Sequence, residues 1–90
     1  MSRVVNNDAR TTDADFLIYT TQFCSYCTAA KRLLTNKDLS FLEIELDREP
    51  HKLKTLFSET GHRTVPIIYD LRNEDIRFIG GFDQLLSEHN

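Results

Sequence analysis

Cys24 and Cys27 are the two cysteines of the chain, with Ser25 and Tyr26 between them. If Cys24 stands at the start of a helix, its sulfur faces unpaired backbone N–H groups and the positive end of the helix dipole. Both favour thiolate over thiol. Thiolate is the attacking species in thiol–disulfide exchange, and Cys27 would lie on the same helix face within reach of it. In that arrangement Cys24 attacks and Cys27 resolves. A disulfide across so short a loop restrains the unfolded chain little, so the pair reads as made and broken in use rather than architectural. Two blander readings stay open. One is half a zinc site, which would have to recruit from His51, His62 and His89; the other is a pair of inert buried thiols.

The rest of the chain must position this pair. It has 90 residues, 11 basic and 14 acidic side chains, a formal net charge of −3 and 40% hydrophobic residues, the composition of one small domain. No window approaches the roughly 18–20 apolar residues that cross a bilayer, and the start MSRVVNNDARTTDAD lacks the apolar core of a signal peptide. The expectation is a soluble, cytoplasmic protein. Lys and Arg are scattered rather than gathered in a stripe, so nucleic acid is not an expected partner.

Residues Met1 to Asp15 are polar with almost no apolar periodicity, which reads as a flexible N-terminal tail before a domain spanning residues 16–90. Phe16-Leu17-Ile18-Tyr19 is a continuous apolar run, typical of a strand buried on both faces. From Tyr26 through Ala30 to Leu33 and Leu34 the spacing turns helical, so a helix begins near the cysteines. Phe41 to Leu46 alternates, with Leu42, Ile44 and Leu46 on one face and a solvated acidic face opposite. Leu53, Leu56 and Phe57 mark a helix after Pro50 that stops near Gly61. A third strand is expected from Ile67 to about Leu71, a turn at Arg72-Asn73-Glu74, a fourth strand from Asp75 to Ile79, and a short helix from Phe82 to Glu88. Pro66 would open the third strand, where its missing N–H does least harm.

A right-handed crossover makes the first two strands parallel. A Cys-x-x-Cys between the first strand and the first helix is the signature of thioredoxin-like redox proteins. The expected fold is therefore α/β and thioredoxin-like, a four-stranded mixed sheet flanked by three helices.

Ile18-Tyr19-Thr20, Cys24-Ser25-Tyr26-Cys27, Thr64-Val65-Pro66 and Gly80-Gly81-Phe82-Asp83, in this order and spacing, resemble a dithiol glutaredoxin from Phe16 to the C-terminus. The absence of Trp argues against thioredoxin proper, whose motif follows a tryptophan. Ala30-Lys31-Arg32-Leu33-Leu34-Thr35 and Gly80 to Leu85 are similar to the short glutaredoxins of large tailed phages. The resemblance implies a glutathione-dependent thiol–disulfide oxidoreductase, monomeric, with ribonucleotide reductase as a protein partner. It also implies a cis bond before Pro66, backbone pairing of Val65 beside Thr64 with the cysteinyl part of glutathione, and a γ-glutamyl site at Gly81, Phe82 and Asp83. Arg63 would sit near the glycine carboxylate, and Tyr26 would flank the active site. A second implied role is a dimer sharing a [2Fe-2S] cluster, held by Cys24 of each chain and two glutathiones.

Helix physics supports part of this: at the opening of a helix, N–H groups near Asp83 can take a carboxylate while its side chain takes an ammonium. The alternative is that Asp83 only caps the helix. Tyr26 could equally pack in the core, Arg63 could be a plain surface residue, and His62 reads as a solvated loop histidine. Two positions depart from the family pattern: Thr21 stands where a lysine is common, and Gln84 where a second acidic residue is common.

Overall fold

The run Phe16–Thr20 forms strand β1 with all five side chains buried. It lies inside a four-stranded sheet of order β2-β1-β3-β4, where β2 is Phe41–Glu45, β3 Ile67–Asp70 and β4 Arg77–Gly80. β1 pairs parallel with β2, Phe16 opposite Phe41, and antiparallel with β3, Ile18 opposite Ile68. β3 and β4 form an antiparallel hairpin whose register shifts between Ile68 and Tyr69. This computed structural model describes residues 3–89.

Because side chains alternate along a strand, β1 feeds two cores. Leu17 and Tyr19 join Val5, Leu46, Leu56, Ile67 and Tyr69 on one face of the sheet. Phe16 and Ile18 join Ala30, Leu34, Ile68, Ile79 and Leu85 on the other. The first face is covered by α1 (Arg3–Ala9) and α3 (Pro50–Thr60), the second by α2 (Ser25–Asn36) and α4 (Phe82–His89). α3 starts on Pro50 and ends on Gly61 in the left-handed region at φ 71°, as expected of that sequence. No helix among the described residues is long and apolar enough to cross a membrane.

Four helices are present among the described residues rather than three, because the segment expected to be a flexible tail contains α1. Two of its residues, Met1 and Ser2, lie outside the described residues, as does Asn90 at the far end of the expected domain. α1 is held by tertiary contacts. Val5 is fully buried in the first core, the Tyr19 hydroxyl donates to the Asp8 carboxylate, and Lys52 Nζ lies 3.0 Å from that carboxylate. Lys52 also sits over the Tyr19 ring, 5.7 Å from its centroid. β4 begins at Arg77 rather than Asp75, so the hairpin loop is longer than expected.

The acidic face of β2 is only partly solvated. Glu45 is exposed, whereas Glu43 accepts from Lys31 Nζ and from the Thr20 hydroxyl, each at 2.8 Å.

Candidate active site

The β1–α2 connection places the cysteine pair beyond the C-terminal end of β1. Cys24 is the N-cap of α2 with extended backbone, φ −109° and ψ 107°, and the Cys27 N–H donates to its Sγ at 3.1 Å. An N-cap side chain that accepts from the first turn satisfies an orphan donor, and here the acceptor is the sulfur itself. The Cys24 thiol also reaches the Val65 carbonyl oxygen at 3.8 Å. Both cysteines are free thiols.

The two sulfurs differ in environment. Cys24 is partly exposed, whereas Cys27 is 2% exposed. Burial, and then the hydrogen bond with Cys24, push the Cys27 thiol up to about 12, opposed by the Thr21 backbone and the Lys31 charge. Cys27 is therefore a thiol at neutral pH. Of the two sulfurs, Cys24 is thus the one open to an incoming disulfide.

Toward β3 and α4, on the side of Cys24 where its thiol meets the Val65 carbonyl, lies a groove of about 270 Å³ lined by Tyr26, His62, Thr64, Val65, Pro66, Gly81, Phe82, Asp83 and Gln84. The Val65–Pro66 bond is cis, as the resemblance implied against the general rarity of cis bonds. Seven residues singled out from sequence thus meet in one groove: Tyr26, Thr64, Val65, Pro66, Gly81, Phe82 and Asp83. Arg63 is exposed in the same loop and is not among the lining residues. Tyr26 does not pack in the core. It is 61% exposed and leans on Phe82 with ring centroids 6.3 Å apart.

His62 and Gln84 line the groove although sequence reasoning assigned them no role there. Gln84 Oε1 accepts from the Gly81 N–H at 2.8 Å, the reach-back of a third-position side chain to the N-cap. The capping role considered for Asp83 is filled by Gln84, which leaves the Asp83 carboxylate exposed at the groove. His62 is half-buried rather than solvated. Its ring packs edge-on against Phe78 at 6.1 Å, and its Nε2 lies 3.3 Å from the Thr64 hydroxyl. A Cβ on Gly81 would lie 3.0 Å from that Nε2, so this glycine permits the close approach of loop and helix. The signal available in the sequence was position, one residue after the left-handed Gly61 and two before Thr64.

Toward β2 a second cavity, of about 380 Å³, is bounded by Phe23, both cysteines, Lys31, Glu43 and Glu45 among others. Among the described residues no group of three or more His, Cys, Asp and Glu is placed to hold a metal ion. The three histidines considered above as zinc ligands therefore do not gather at the cysteines.

Residues 16–74 match the family model described as Glutaredoxin. The chain belongs to the glutaredoxin family. Glutaredoxin 3 of Escherichia coli strain K12 is 39% identical over 72 residues, covering 80% of this chain and 82% of that protein. A glutaredoxin of Pseudomonas aeruginosa is 39% identical over 69 residues, covering 77% of each. Among solved structures, the crystal structure of a buckwheat glutaredoxin–glutathione complex superposes with a TM-score of 0.78 at 25% identity, over 94% of this chain and 77% of that one. The thioredoxin-like fold expected from sequence is thus present, and glutaredoxins are thiol oxidoreductases.

Proposed function

We propose that this glutaredoxin is a glutathione-dependent thiol–disulfide oxidoreductase. The observation that carries the reading is the placement of Cys24 Sγ. It accepts the first-turn N–H of α2 at 3.1 Å and lies 3.8 Å from the carbonyl oxygen of Val65, a residue that lines the groove formed with α4. The likeness to a glutaredoxin solved with glutathione supports glutathione as the occupant. Val65 would pair its backbone with the cysteinyl part, with Thr64 and cis Pro66 shaping that wall and Tyr26 the other. The free N–H groups at the start of α4, at Phe82 and Asp83, suit the γ-glutamyl carboxylate, and the Asp83 carboxylate suits its ammonium. Arg63, nearby in the loop, suits the glycine carboxylate.

In the reaction, the Cys24 thiolate attacks one sulfur of a substrate disulfide, forming a mixed disulfide and expelling the other sulfur as a thiolate that takes a proton. Cys27 loses its proton, attacks Cys24 Sγ and releases the second substrate thiol, leaving a Cys24–Cys27 disulfide. Two glutathiones then restore the dithiol, one through a mixed disulfide on Cys24, and leave as glutathione disulfide. The substrate is reduced by two electrons and the two glutathiones supply them. A glutathione mixed disulfide needs Cys24 alone. Ribonucleotide reductase is the protein substrate that the phage-type resemblance suggests, and the chain would act as a monomer.

The test is NADPH-coupled turnover of a small glutathione mixed disulfide through glutathione and glutathione reductase. The wild type and Cys27→Ser should both turn over, and Cys24→Ser should be inactive. Retained activity in Cys24→Ser would refute the assignment of the nucleophile. No turnover in the wild type would refute glutathione dependence.

A further inference from the structure

Phe23, immediately before the nucleophile, is fully exposed and holds a left-handed backbone with φ 55°. Bulky side chains disfavour that region, and Gly or Asn suits it better. The backbone is held there by neighbours: the Gln22 N–H donates to both Asp47 carboxylate oxygens at 3.1 Å, and the Leu46 N–H to the Thr20 carbonyl at 2.9 Å. The fold gains no burial from the aromatic ring. Strain that the surroundings over-determine, placed beside a reactive atom, points to function rather than folding.

The ring walls the second cavity, which also touches Cys24 and Cys27 and has Glu43 and Glu45 among its lining residues. Glu43 is paired with Lys31, while Glu45 is exposed. Beyond it a smaller cavity, sharing Gln22 and Glu45 with the first, runs along Asp47, Arg48 and Glu49, an edge with three carboxylates and one guanidinium. With order β2-β1-β3-β4, this edge lies toward β2, and the groove assigned to glutathione lies toward β3 and α4. A disulfide approaching Cys24 has two arms, and the side toward β2 is open to the arm that does not occupy the groove. A second copy of this chain would bring one acidic edge against another, whereas a polypeptide with a basic side chain complements it.

We propose that Phe23 and the acidic edge at Glu45 form a subsite for the polypeptide arm of a protein-disulfide substrate. It selects an apolar side chain next to the attacked cysteine and a basic one beyond it. This rests on the disulfide-exchange reading above and names its preferred substrate class.

The test compares kcat/KM for two peptides, each closed by one intramolecular disulfide. One has Leu and Lys after its first cysteine, the other Gly and Glu, and a small glutathione mixed disulfide serves as the reference. The wild type should favour the Leu-Lys peptide by about tenfold, the scale of one apolar contact plus one charge contact. Phe23→Gly, which suits the left-handed backbone, should bring that ratio to within about threefold, and Glu45→Lys should lower it as well by turning the charge contact repulsive. Equal rates for the two peptides in the wild type, or an undiminished ratio in Phe23→Gly, would overturn the subsite while leaving the oxidoreductase reading intact. Failure of the wild type on the reference disulfide would overturn both.

Discussion

Asp70→Asn should destabilise the fold at neutral pH and much less in acid. Asp70 ends β3 at 1% exposure and accepts from the Arg72 backbone N–H at 2.9 Å, from Arg72 Nε at 3.0 Å, from Arg72 Nη2 at 2.9 Å and from Arg77 Nη2 at 3.2 Å. Arg77 also grips Glu88 of α4 at 2.7 Å, so one carboxylate ties the hairpin to the helix whose start lines the groove. The hydrogen bonds from Arg72 are the largest cause holding the Asp70 carboxyl down at about 2, against an ordinary 3.8. A depressed carboxylate stabilises the fold above its unfolded pKa, and that stability is lost as pH falls through the folded value. The shift corresponds to about 2.5 kcal/mol at neutral pH. Asn keeps the shape but not the charge, so Asp70→Asn should cost about 2–3 kcal/mol at pH 7 and lower the Tm by about 10–20 °C for a domain of this size. Near pH 2 the gap should shrink to about 0.5 kcal/mol, because half of the native Asp70 is then protonated. Urea unfolding followed by far-UV circular dichroism from pH 7 down to pH 2 would measure both. Equal stability at pH 7, or a gap that persists at pH 2, would refute this account.

Val5→Ala should cost about 1–3 kcal/mol in urea unfolding by leaving a cavity in the first core, whereas a free tail would show no change. Iodoacetamide near neutral pH should label Cys24 in the native reduced protein and spare Cys27, whose thiol is buried and pushed up to about 12, as read by peptide mass spectrometry. Labelling of both at equal rates would count against the assigned order of attack. Gln84→Ala should lower stability by about 1 kcal/mol through loss of the bond to the Gly81 N–H. It should also change the KM for glutathione, because that N–H then faces the groove; an unchanged KM and stability would dismiss the cap.

Elements fixed by local interactions were legible in the sequence, and those fixed by distant partners were not. Five-residue β1, the alternation in β2 and the stop of α3 at Gly61 were readable because strand burial and left-handed caps leave local patterns. α1 was not. A seven-residue helix does not hold itself together in water, and its partners Tyr19 and Lys52 come from β1 and α3. The start of β4 slipped by two residues for a similar reason, since Asp75 and Ile76 carry strand-like spacing that the sheet does not pair.

At the site, the sequence alone supplied the candidate thiols and their spacing. Two cysteines three positions apart at a strand-to-helix turn, with Thr64-Val65-Pro66 and Gly80-Gly81-Phe82-Asp83 following, carry the resemblance to glutaredoxins and name the pair proposed to do the redox chemistry. Tertiary structure decided the differences among similar residues. It buried Cys27 and left Cys24 partly exposed against the Val65 carbonyl, and it turned His62 in against Gly81 while Arg63 stayed outside. It made Gln84 the cap in place of Asp83, and it set Phe23 in the open beside the nucleophile. Burial, hydrogen-bond partners and the local dielectric belong to segments that meet only when the chain closes, so no spacing rule within one segment could have specified them.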